Sequence, residues 1–418
     1  MRKIILLIAL FVGQYLMAQK PFRTSVFNPD IRTLQVGVKG QKFVLPIIEL
    51  NTNETIKISF DEMSHLSRSL SYKVIHCNAD WTVSQLNTNE FLQGFTTATI
   101  TDFKRSTNTS YLYTHYSFEL PNPDMRFRVS GNYVVIIYED NRDNQPLAYA
   151  CFSVVEPKVG IEAKVRSNTD IEINNSLQQV DFEILTRNYQ IRNPHDELKV
   201  VVRQNNRLDN EVSNIKPTFI GSSRLSYSNN RALIFEGGNE YRRFDISSIY
   251  AAAQGVDRFE YKSPGYEAFL LSDKINSSRT YQHDFDVNGK FLINYQEHMF
   301  DIDVEADYMV VHFELQAPQP FFDGLLYLAG EFNHNIFDTY SRIDYDNQSR
   351  AYRKSILLKQ GGYNYHYFLL PKAQQKASVR SVAGSFWQTG NEYSIYVYHR
   401  AWGERYDKLI AIKTILSN

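Results

Sequence analysis

The stretch "HCNADW", residues 76–81, places a histidine, a cysteine and an aspartate within five positions. These are the side-chain types of a thiol nucleophile, its base and the acid that orients the base. The preceding stretch, "SLSYKVI", is short and rich in Tyr, Val and Ile, so it reads as a β-strand. Consecutive side chains of a strand point to opposite faces, which sets His76 and Cys77 apart. A thiol whose base faces the other way is not activated. Cys77 and Trp81 therefore read as packing residues at a strand end, with Asp80 closing the turn that follows.

A second candidate is "DFDVNG", residues 284–289, where Asp284, Asp286, Asn288 and Gly289 stand at the spacing that opens a calcium loop. The closing bidentate glutamate would fall at position 295, which is Tyr295. "VNGK" between two strand-like runs is instead a hairpin signal, because Asn-Gly accepts the positive φ values of a type I′ turn. The ten histidines contain no H-E-x-x-H motif and no pair spaced for zinc. His366, in "GGYNYHYFLL", reads as a sheet histidine among tyrosines. Asp301 and Asp303 form a carboxylate pair of a kind common on sheet surfaces, which nominates no glycosidase. No nucleophile elbow, phosphate loop or dinucleotide fingerprint is present. No catalytic, cofactor-binding or metal-ligating residue is nominated, and no enzyme is expected.

The elements around these residues are strands from end to end. Tyr and Phe number 28 and 27, and short alternating runs separated by turn residues argue for antiparallel sandwiches. One set runs from "KFVLPIIEL" to "AYACFSVVEP", where Pro157 marks a boundary. A second runs from "QVDFEILT" through "ELKVVVRQN" and "RALIFEGGNEYRRFDI" to "KFLINYQ". A third opens at "YMVVHFEL" and ends with "EYSIYVYHR" and "DKLIAIKTIL". Only "FDISSIYAAAQGV" reads as helical. The expectation is an all-β chain of three consecutive antiparallel, immunoglobulin-like β-sandwich domains at 19–157, 158–306 and 307–418.

Residues 1–18 read as a cleaved secretory signal, with Arg2 and Lys3 ahead of the apolar "IILLIALFVGQYLM" and Ala18 before the cut. That run is shorter than the roughly 20 residues of a spanning helix, and no second one follows, so no direct membrane span is expected. Taking Arg2 and Lys3 from the 45 basic residues leaves 43 against 46 acidic ones, a net charge of −3. No basic block stands out, which argues against nucleic acid as a partner. Cys77 and Cys151 are the only cysteines. In an exported chain they are open to pairing, which spacing does not decide.

The stretches "HCNADW", "NTSYLYTHYSFELPNP", "SGNYVVIIYED", "GGNEYRRFDI", "DVNGKF", "ADYMVVHFEL", "LLKQGGYNYHYF" and "NEYSIYVYHRAWGERYDKLI", in this order, resemble the plug protein family of the type IX secretion system. The resemblance implies a periplasmic protein that binds the periplasmic mouth of the outer-membrane translocon β-barrel and closes its pore while no cargo occupies it. It implies no cofactor and no catalytic residues, and attachment to the outer membrane only through that translocon. The last third also resembles an early-set immunoglobulin-like domain of the glycogen-binding kind, through "VVHFELQAPQPFFDGLLYLAGEFNHN". Such domains stack sugar on a tryptophan just after the "FN" of that pattern. Here His334 follows Phe332 and Asn333 and reads as a turn residue. A periplasmic or surface carbohydrate-binding protein is the alternative reading, and a structural chaperone of outer-membrane assembly a third.

Overall fold

Strand Gly131–Glu139 carries apolar side chains on both faces, so it must be covered twice. In the computed structural model, which describes residues 21–66, 68–250 and 253–417, Tyr133, Val135 and Ile137 enter the core of a sandwich. Val134, Ile136 and Tyr138 pack on the other side with Phe22, Cys77 and Cys151. The sheet runs Ser25–Val26, Pro146–Val155, Gly131–Glu139, Leu70–Cys77, Thr97–Thr99. Facing it are Ile31–Val38, Ile56–Glu62, Thr114–Leu120 and Asp102–Arg105. The period of two in Ile56–Glu62 sends Ile56, Ile58 and Phe60 into the core, where each contributes roughly 1.5–3 kcal/mol over exposure. It leaves Lys57 and Asp61 on the outer face. The expected export signal at 1–18 lies outside the described residues.

The second unit pairs Gly160–Arg166, Leu177–Leu185, Arg224–Ser226 and Phe219–Ile220 in one sheet, with Ile234–Glu236 also on Leu177–Leu185. Its facing sheet is Leu198–Gln204, Glu392–His399 and Lys408–Leu416. Here the expected order is corrected. Residues 307–418 do not form one sandwich, because Val200 stands opposite Val397 and Val202 opposite Ile395. Val180, Phe182 and Ile184 close that core against Val200, Val202, Ile395, Val397 and Ile410. The last two strands of the chain thus complete the second unit.

The third unit lies between them in sequence. Ten strands from Arg242–Asp245 to Gly361–Pro371 form one sheet, eight of them on a continuous path that turns through Arg342–Asp346, paired with both Gly324–Ala329 and Ala351–Lys359. Their shared core holds Val311, Phe313, Leu326, Leu328, Tyr365 and Tyr367. "RALIFEGGNEYRRFDI" is therefore not one strand: Ile234–Glu236 belongs to the second unit and Arg242–Asp245 to the third. The helix expected in "FDISSIYAAAQGV" is absent from its described residues, since the Ile246 N–H bonds Gly361 O at 2.9 Å and ties the segment to the sheet. The chain is all-β, with largely antiparallel sheets. Among the described residues, no helix is long and apolar enough to cross a membrane.

Candidate functional site

"HCNADW" sits where the first unit meets the second. His76 is fully buried on strand Leu70–Cys77, its Nε2 donating to Ser130 O at 3.2 Å, with Tyr133 and Tyr406 set edge-on to its ring at 5.0 and 5.4 Å. Gly131, at φ +139°, lets the backbone approach that ring; a Cβ there would stand 2.4 Å from Nε2. Past the strand, Asp80 Oδ1 accepts from the Thr82 N–H at 3.1 Å and Trp81 takes φ +62°, so the aspartate does close the turn. The turn then docks. Ala79 N–H donates to Asp407 Oδ2 at 2.9 Å, and Arg400 reaches Asn78 Oδ1 at 2.6 Å and Asp407 Oδ1 at 2.8 Å. Around these bonds Ala79 and Val155 pack with Val201, Tyr396, Tyr398 and Leu409 of the second unit.

Cys77 faces away from His76, and burial, reinforced by Asp80, pushes its thiol up to about 12. A thiolate is not available at neutral pH. Cys77 stands opposite Asn132 and Cys151 opposite Val134, on strands that flank Gly131–Glu139 from its two sides. Strands two apart are roughly 9.6 Å from each other, beyond the about 7 Å limit for a disulfide. Both thiols are free.

The "DFDVNG" carboxylates are committed elsewhere. Asp284 pairs with Arg243 at 2.6 Å, while Asp286 accepts from the Asn288 N–H at 2.9 Å and from the Tyr241 N–H. Asn288 and Gly289 have φ +53° and +84°, and Lys290 N–H closes on Val287 O at 3.2 Å, as a type I′ turn requires. The preceding arm is irregular, so the turn does not join two strands. Among the described residues, no group of three or more His, Cys, Asp or Glu is placed to hold a metal. Calcium at millimolar excess is expected to leave the thermal midpoint unchanged; a rise of several degrees in a melting scan would restore the calcium reading.

His366 is buried on strand Gly361–Pro371, its Nε2 donating to Asn239 O at 2.9 Å. Burial brings its pKa down to about 3, and brings His76 to about 4 despite the Ser130 carbonyl. Unfolded histidines bind a proton near pH 6.5, so the unfolded chain gains protons first as pH falls. The stability held by these neutral rings is full above pH 6.5 and is lost between there and about pH 4 for His76 and about pH 3 for His366. Each is expected to cost on the order of 2 kcal/mol at pH 5. Denaturant midpoints at pH 7 and pH 5 should therefore fall less for His76→Gln than for the unaltered chain; equal drops would refute the assignment.

The seam between first and third units is a buried charge cluster that no motif announced. Asp61 accepts from His115 Nδ1 at 2.6 Å, from Lys359 Nζ at 2.7 Å and from the Tyr308 hydroxyl at 2.7 Å. Burial pushes the Asp61 carboxyl up, but Lys359 and His115 together outweigh it and hold it below the usual range. Lys359 also donates to Asp303 O at 2.7 Å, and Lys57 pairs with Asp303 at 3.1 Å. Asp301 caps helix Ile302–Glu305 and binds Lys104 at 2.8 Å. Asp301 and Asp303, read from sequence as surface groups, do stay partly exposed at the rim of this cluster while pairing across the seam. Asp61 and Lys359 lie 298 positions apart, a separation at which no spacing rule operates.

Where all three units meet, a cavity of about 270 Å³ opens among Phe22, Phe43, Trp81, Tyr396 and His334. His334 ends the turn Glu331–Asn333 at φ +56°, so it is the turn residue expected, and it lines this cavity. A bulky residue with φ near +60° costs about 1–3 kcal/mol and persists only where its surroundings impose it.

Residues 31–156 match the family model described as "Type 9 secretion system plug protein 1st domain". The whole chain is similar to a hypothetical protein from Parabacteroides merdae ATCC 43184 known from a crystal structure, with 43% identity, 95% of this chain and 100% of that chain covered, and a TM-score of 0.93. No curated protein matches. The matched segment coincides with the sandwich that carries "HCNADW" and the Asp61 seam, and by this segment the chain carries the first domain of the type 9 secretion system plug protein family.

Proposed function

We propose that this chain is a non-enzymatic stopper. Exported to the periplasm by residues 1–18, it binds the periplasmic side of the outer-membrane translocon barrel of the type 9 system and occludes the pore while no cargo passes. The observation that carries this reading is the match of residues 31–156 to the family's first domain. The seams support it physically. A stopper must keep its shape under load, and the units are joined by buried ion pairs and apolar contacts rather than by loose linkers. In this reading residues 158–236 and 392–417 form one domain, and 237–391 form another, immunoglobulin-like and of the early-set kind, inserted into it.

The test is capture of a tagged chain from detergent-solubilised envelope, with mass spectrometry of what accompanies it. A very large β-barrel protein is expected. Its absence, together with retardation of the chain in a glucan-containing gel, would replace the stopper with the carbohydrate-binding alternative.

A further inference from the structure

The cavity at the junction of the three units has two features beyond its position. The first is backbone conformation. Phe43, Trp81, Asn206, His334 and Asn335 all line it, with φ of +61°, +62°, +53°, +56° and +51°. Asparagine tolerates this region, but phenylalanine and tryptophan are outliers there. Such conformations gather at ligand sites because the fold must impose them to aim particular side chains.

The second feature is which groups remain uncommitted. Lys290 donates to Glu392 Oε2 at 2.7 Å and to Phe43 O at 2.8 Å, and Arg203 pairs with Glu211 at 2.7 Å. These buried cations are neutralised where they stand, while Arg23 and Lys42 are exposed at the rim. Glu331 accepts from Asn206 Nδ2 at 3.3 Å, and burial pushes its carboxyl up, toward the neutral form. The wall therefore offers little to select an ion. Its free capacity is neutral. Asn335 Oδ1 has no hydrogen-bond partner among the described residues, and the His334 imidazole is kept uncharged at neutral pH, with burial bringing its pKa to about 4. The amides of Gln35 and Gln41 also line the cavity.

Aromatic faces beside neutral donors and acceptors complement a molecule with C–H faces and hydroxyl edges. We propose that this cavity binds a neutral polyhydroxylated ligand of monosaccharide size, with His334 and Asn335 taking its hydroxyls and Trp81 and Phe43 covering an apolar face. The volume agrees: about 270 Å³ falls just below the roughly 300–1,000 Å³ of sites for drug-sized ligands. The site is a half-open cleft between units, which differs from a flat sugar platform on one sheet face, and it does not depend on pore occlusion.

The test is calorimetric titration of the full exported chain with glucose, galactose, mannose and N-acetylglucosamine, using gluconate and glucosamine as charged counterparts. At least one neutral sugar should bind one-to-one with Kd on the order of 0.1–1 mM, and the charged counterparts about tenfold more weakly. Gly37 lines the cavity, and a Cβ added there meets no atom within 4 Å. Gly37→Leu should thus fill the space and weaken binding about tenfold or more, with the melting temperature unchanged. His334→Gly and Asn335→Gly keep the left-handed backbone accessible, and each should weaken binding about tenfold through one lost hydrogen bond. Binding by none of the neutral sugars, binding that favours a charged counterpart, or binding untouched by Gly37→Leu would each overturn the proposal. None of these outcomes bears on capture of the barrel.

Discussion

A strain lacking this chain is expected to become sensitive to vancomycin, to recover when the gene is restored, and to keep secreting at least part of its cargo. A chain of about 400 residues folded as one body has a radius of gyration near 21 Å, enough to cover a pore that passes folded proteins. Left open, such a pore admits solutes that ordinary porins exclude. The net charge of the chain is only −1, which gives no long-range steering toward a charged ligand. Sealing then rests on shape and on apolar anchors, and so on the rigidity of the body that presents them. The deciding comparison is a strain that lacks the translocon as well. There the sensitivity should disappear; a leak that persists would mean that some other pore is open, and the stopper reading would fail.

The second large effect is expected at the seam between first and third units. Asp61 and Lys359 have side chains 1% and 2% exposed, so solvent compensates neither if the other is removed. Asp61→Ala leaves an ammonium buried against Tyr113 and Tyr308, at a cost of about 3–5 kcal/mol. The melting temperature should fall by on the order of 10 °C. Replacing both groups, Asp61→Leu with Lys359→Met, should recover most of that loss, because buried pairs exchanged for apolar side chains of similar volume are often neutral. A single substitution that moves the midpoint by no more than surface changes do would show that the seam does not hold the units together. The pH dependence has a definite sign. Asp61 is held below its unfolded value, so its contribution is full above about pH 4 and is lost as pH falls through the folded pKa. At neutral pH the substitution is felt in full. This window lies below that of His76 and below most of that of His366, which lets acid titration tell the two effects apart.

Strand content was legible because the period of two is local. "GNYVVIIYED" and "TIKISFDEM" declare themselves within ten residues, and the Asn288-Gly289 turn needs only its own dipeptide. The opposed directions of His76 and Cys77, and the turn closed by Asp80, follow from the same rule. The helix read into "FDISSIYAAAQGV" failed for the complementary reason. Its local pattern lost to sheet bonds supplied by Gly361, more than a hundred positions away.

By itself the sequence determined an all-β chain, its strand-forming stretches and the absence of a thiol–imidazole pair at "HCNADW". Tertiary structure alone decided which strands share a sheet. Glu392–His399 alternates as well for a third sandwich as for a second, and only the fit of Val397 and Ile395 onto Val200 and Val202 selects the partner. The same holds for Asp61, Lys359 and Lys290. A charged residue on a strand reads as a solvated face until another unit covers it, and burial and pairing across hundreds of positions are properties of that packing, not of the residues along the chain.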